Sequence, residues 1–138
     1  MRTWLLDALG APGEHRLSAL ACHRREVELM SDAAARQPEH ARYVRGVKDA
    51  EGSLANSLWR TGQRRPALEA ARRLATAGEA RAAAEPANHE AQYDYAQQCN
   101  TYAQWLLESG NSELAREWTR RAVAIYERLQ PAARRSGE

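Results

Sequence analysis

Residues 103–130, AQWLLESGNSELAREWTRRAVAIYERLQ, decide the fold class of this chain. Beyond the glycine at 110, Leu114, Ala115, Trp118, Ala122, Ile125, Tyr126 and Leu129 recur at the spacing that places them on one helical face. Arg116, Arg120, Glu127 and Arg128 fill the rest. Gly110 suits the end of the preceding helix, and Asn111 or Ser112 supplies an acceptor for the open N–H groups of the next. The stretch reads as helix, tight turn, helix.

The same punctuation recurs upstream. Gly, Pro, Asn and Ser mark breaks at GAPGE (10–14), QPEH (37–40), TGQ (61–63), EPANH (85–89) and SGNS (109–112). Six helical segments are expected between them, over 2–9, 15–36, 39–61, 65–84, 88–109 and 112–130. Composition agrees, because alanine is abundant, phenylalanine is absent and β-branched residues do not cluster. A chain of 138 residues fits one domain, taken as 1–130, with PAARRSGE at 131–138 read as a disordered tail.

Laying residues 37–84 over 85–132 uncovers an internal repeat at an offset of 48. Pro38 then meets Pro86, Leu54 meets Tyr102, Ala55 meets Ala103, Leu58 meets Leu106, Gly62 meets Gly110 and Ala67 meets Ala115. Each unit is a helix, a glycine turn and a second helix, and residues 1–36 read as a partial copy. The hairpins are therefore 1–36, 37–84 and 85–130. One hairpin cannot bury its apolar face alone, so the expected fold is all-α, a stack of antiparallel hairpins with about six helices. Gly46 and Gly52 each cost about 1 kcal/mol inside a helix. They predict a kink in 39–61, or a late start near Asp49.

Residues 103–130 resemble a tetratricopeptide repeat, with Leu106, Gly110, Ala115, Ala122, Tyr126 and Leu129 at that family's spacings. Residues 55–86 are similar through Leu58, Gly62, Ala67 and Pro86, with Leu74 where a small alanine is usual. The repeat length of 48 departs from the family's usual length of about 34. Enlarged units of this kind resemble those appended to bacterial signalling and regulatory proteins. The resemblance implies a TPR-like α-solenoid, a scaffold or adaptor in which the first helices of successive hairpins line a concave binding surface.

Those first helices carry the candidate partner-binding residues. In 88–109 the row Tyr93, Gln97, Asn100, Gln104, Leu107 with Glu108, and Asn111 follows one helical face and is rich in amides. Amides both donate and accept, which suits the backbone of an extended peptide. The matching face of 39–61 holds Asn56, Trp59, Arg60 and Gln63, with Arg45 and Lys48 or Asp49 further back. Trp59 beside Arg60 has the composition of a binding hot spot, although a tryptophan packed between helices fits the same pattern. The expected occupant is a peptide or helix of a protein partner. A homodimer through the N-terminal hairpin, using Trp4, Leu5, Leu6 and Leu9, is the alternative.

Other classes find little support. Twenty Lys and Arg against 18 Asp and Glu leave a net charge of +2, without the basic excess of a nucleic-acid or membrane-surface protein. Cys22 and Cys99 lie far apart with no CxxC, the pattern of reduced thiols, and no apolar run forms a signal or a span, so the chain reads as cytoplasmic. His15, His23, His40 and His89 lack a second ligand at helical spacing, and no cofactor motif or catalytic grouping appears, so no metal, cofactor or enzyme is expected. Arginine doublets at 24–25, 64–65, 72–73, 120–121 and 134–135 are interspersed with glutamates and read as solvated faces. Glu51 aligns with Cys99 and so points to the core, where it needs Arg72 or Arg73 as a partner. A small all-α enzyme or ligand sensor built on Glu51 is the remaining alternative.

Overall fold

The computed structural model describes the backbone of residues 12–135 and the side chains of residues 19–130. Five helices occupy them: α1 Pro12–Arg36, α2 Ala41–Arg60, α3 Arg64–Ala84, α4 His89–Glu108 and α5 Ser112–Arg135. The described residues contain no strand. The helix expected over 2–9, with Trp4, Leu5, Leu6 and Leu9, lies outside them, as does the last part of the expected tail, 136–138. α5 itself runs past the end expected near Gln130, since the alanines and arginines after Pro131 are good helix formers.

The turns are repeated bond for bond. At the first glycine, Gln63 N–H donates to Leu58 O at 2.9 Å and Gly62 N–H to Trp59 O at 3.2 Å. At the second, Asn111 N–H donates to Leu106 O at 2.9 Å and Gly110 N–H to Leu107 O at 3.1 Å. Both are helix ends closed by a left-handed residue, and both glycines have positive φ, +81° at Gly62 and +89° at Gly110. The proline turns match as well, with His40 N–H on Gln37 O and Asn88 N–H on Glu85 O, each at 3.0 Å. An offset of 48 residues thus relates hydrogen bonds as well as letters.

Asn88 caps α4 by accepting from Ala91 N–H at 3.2 Å, and Asn111 caps α5 by accepting from Leu114 N–H at 3.4 Å. α2 does not start late at Asp49; it is helical from Ala41. A Cβ on Gly46 would meet the Met30 methyl, the movable end of a flexible side chain on α1, so this glycine lies where α1 and α2 touch.

The residues group into two compact units, Met1–Ala70 and Ala71–Glu138, divided within α3. The repeat pattern alone led to one domain over 1–130. In the first unit α1 and α2 form an antiparallel hairpin across the short turn at 37–40, and Leu20, Ala50, Ala55, Leu58, Ala67 and Ala70 are buried.

In the second unit three helices pack together. Gln92 of α4 reaches Ala82 of α3, Tyr95 reaches Glu79 and Gln98 meets Gly78, so the two helices run antiparallel. Tyr93 meets Tyr126 and Tyr102 meets Trp118, which sets α4 antiparallel to α5. Small buried residues, Ala75, Ala96 and Ala103, bring the backbones close, while Tyr95, Tyr102, Trp105 and Trp118 fill the remaining volume.

Candidate functional site

A cluster of polar groups holds the second unit together. Tyr95 Oη donates to Glu79 Oε2 at 2.8 Å, and Arg121 Nη1 reaches the same oxygen at 3.2 Å. The Arg121 guanidinium also lies over the Trp118 ring, 4.2 Å from its centroid. Burial, and then the bond to Glu79, pushes the Tyr95 phenol well above its ordinary range. Cys99 is fully buried beside it, and burial raises its thiol to about 11. A thiol so placed stays protonated and unreactive.

Two consequences can be measured. Among the cysteines, Cys22 is exposed and Cys99 buried, so a thiol reagent at neutral pH is expected to label Cys22 at once and Cys99 only on unfolding. The raised thiol also carries a sign. Above the ordinary value of 9.0 the unfolded chain releases the Cys99 proton while the folded chain keeps it up to about 11, so stability falls as pH rises through that window. Denaturant unfolding at stepped alkaline pH should show a shallower fall in Cys99→Ala than in the parent chain.

The predicted binding residues divide between the two units. In the first, Asn56 is exposed but its Nδ2 donates to Gly52 O at 3.1 Å, and Gln63 Nε2 donates to Thr61 Oγ1 at 3.3 Å. Arg60 is exposed. Trp59 is half-buried, with the Arg64 guanidinium 4.7 Å above its ring. Glu51 is partly exposed, not enclosed in the core as the alignment with Cys99 implies.

In the second unit Tyr93, Gln97, Asn100, Gln104 and Leu107 are all exposed along one line of α4, Tyr93 at 47% and Leu107 at 61%. Asn111 continues the line but is occupied as the cap of α5. The amides at 97, 100 and 104 therefore turn donors and acceptors to solvent. By contrast Gln92, roughly a third of a turn around the helix, is buried and donates to Ala82 O at 2.9 Å and Glu85 O at 3.4 Å.

Tyr93 and Tyr126, with ring centroids 6.2 Å apart, carry this line across to α5. The antiparallel register puts Val123 about level with Gln97, and Arg116 about level with Gln104. Thr119, Val123 and Tyr126 share a face at helical spacing, and Val123 is 46% exposed. Residues of α4 and α5 that meet α3, namely Asp94, Tyr95, Gln98 and Arg121, point to the other side of the hairpin. One side of α4 and α5 is thus covered by α3, and the opposite side carries the amide line with Tyr93, Leu107, Val123 and Tyr126.

No family model, curated protein or solved structure matches this chain. The case for function therefore rests on the site itself.

The α4 row was legible because a single helix fixes it. The α5 row was not, since Tyr126 follows the apolar period and looked like core. Val123 was the available signal, an apolar residue out of phase with the buried positions of its helix. Elsewhere some arginines pair with acids three or four residues away, Arg25 with Glu28 at 3.0 Å, Arg36 with Asp32 at 3.2 Å and Arg81 with Glu85 at 3.2 Å. No group of three or more potential metal ligands occurs among the described residues, and no helix among them is long and apolar enough to cross a membrane.

Proposed function

We propose that the chain is a protein-interaction module of TPR-like, stacked-hairpin type, whose α4–α5 face receives a helix of a protein partner. The supporting observation is that uncovered face: a row of three exposed amides bordered by Tyr93, Leu107, Val123 and half-buried Tyr126, on the side of the hairpin opposite α3. The turns repeated at 48 residues support the stacked-hairpin reading, in which another helix would normally lie over such a face. A helix laid there has apolar contacts at both ends of the amide row and polar ones between. Trp59 and its neighbours are left out of this face, which is built from the second unit alone.

The test is site-specific photo-cross-linking in the native host. A photoreactive residue at Gln97 or Val123 is expected to trap a protein, and one at Arg72 on α3 is not. Leu107→Asp should reduce capture at least tenfold, the effect of a removed apolar anchor of about 1.4 kcal/mol or more. Equal trapping at all three positions would refute the placement.

A further inference from the structure

We infer that the helix received by this face is α4 of a second copy of the chain, antiparallel to the first about a twofold axis at Asn100; this rests on the reading that the face docks a helix. The row is nearly the same read in either direction. Reversal about Asn100 sets Asn100 on its own copy, Gln97 within one residue of Gln104, and Tyr93 on Leu107. Each amide both donates and accepts, so Gln–Gln and Asn–Asn pairs satisfy themselves without a second residue type. The rings and leucines close the two ends against water, as the self-complementary patch of a twofold interface requires.

Charge favours the same occupant. α4 holds Glu90, Asp94 and Glu108 and no lysine or arginine, so faces of α4 that include these acids oppose like charge when they meet a copy. Tyr93, Gln97, Asn100, Gln104 and Leu107 carry no ionised group; Glu108, at the end of the row, is eight residues from the axis, so its two copies lie about 24 Å apart along the helices. Beside the row Thr119, Val123 and Tyr126 are uncharged too, and Arg116 stands at the margin. Arg116 is level with Gln104, about four residues from the axis, so the two copies of Arg116 lie about 12 Å apart along the helices.

The experiment uses the full chain with Cys22→Ser to remove the exposed thiol. Light scattering at about 10–100 μM is expected to give a dimer, and Asn100→Cys to form a cross-linked dimer under mild oxidation, whereas Glu117→Cys does not. Leu107→Asp should weaken the dimer about thirtyfold or more with the helical circular dichroism unchanged, since the residue it replaces is exposed. A chain that is monomeric throughout that range, or a dimer indifferent to Leu107→Asp and without the Asn100→Cys link, overturns the second-copy inference. If photo-cross-linking at Gln97 and Val123 then traps a different protein, the docking face stands and only its occupant was wrong. If it traps nothing, both fall.

Discussion

Replacing Trp118 by alanine is expected to cost about 3–5 kcal/mol of stability, the range for a large aromatic removed from a packed interior. Trp118 is 8% exposed and meets Tyr102 edge-on with ring centroids 5.2 Å apart. It also carries the Arg121 guanidinium on its face at 4.2 Å. The loss therefore spreads: Arg121 is released from the ring, and its contact with Glu79 at 3.2 Å, which joins α5 to α3, loses its backing. Trp118→Phe keeps an edge-on ring for Tyr102 and should lose distinctly less. Urea unfolding followed by circular dichroism separates the two, and a cost below about 1 kcal/mol for the alanine variant would show that the ring is not part of the unit's core.

Gln92→Leu is expected to cost about 1–3 kcal/mol although it keeps the side chain's size, because the buried Ala82 carbonyl loses its donor. The last carbonyls of a helix have no partner within it. Here the Gln92 amide supplies one to Ala82 O at 2.9 Å, from a residue only 8% exposed, while Glu85 O, 3.4 Å from the same amide, also accepts from Asn88 N–H. Gln92→Glu should be worse, since a carboxylate brings an acceptor to a place that needs a donor. Hydrogen exchange gives the local readout: amides in the last turn of α3 should lose protection before those of α5. Uniform change across both helices would mean the bond contributes nothing specific to the end of α3.

Much of the fold was readable because its determinants are local. Five of the expected segments match the five described helices to within a few residues, and Gly62, Gly110, Asn88 and Asn111 stop or start them through their own backbone preferences and side-chain oxygens. Gly46 shows where local reasoning stops. Its helix propensity predicts a weak point, yet what it faces in the fold is the side chain of Met30, sixteen positions earlier in the chain. The site divides in the same manner. Tyr93, Gln97, Asn100 and Gln104 share a face by helical period alone, whereas Asn56, Gln63 and Asn111 looked equally available and are engaged by Gly52, Thr61 and Leu114.

The sequence by itself determined that the chain is helical, where its helices turn, and that two of its turns are copies of each other. Those properties depend on dihedral preferences and hydrogen bonds spanning five residues or fewer. Only the tertiary structure decided which amides are used up inside and which remain outside. Gln92 and Gln97 are alike in chemistry and lie on one helix, but α3 packs over one and not the other. Burial is a property of what comes to lie alongside, and in this chain that neighbour is contributed by residues ten or more positions away.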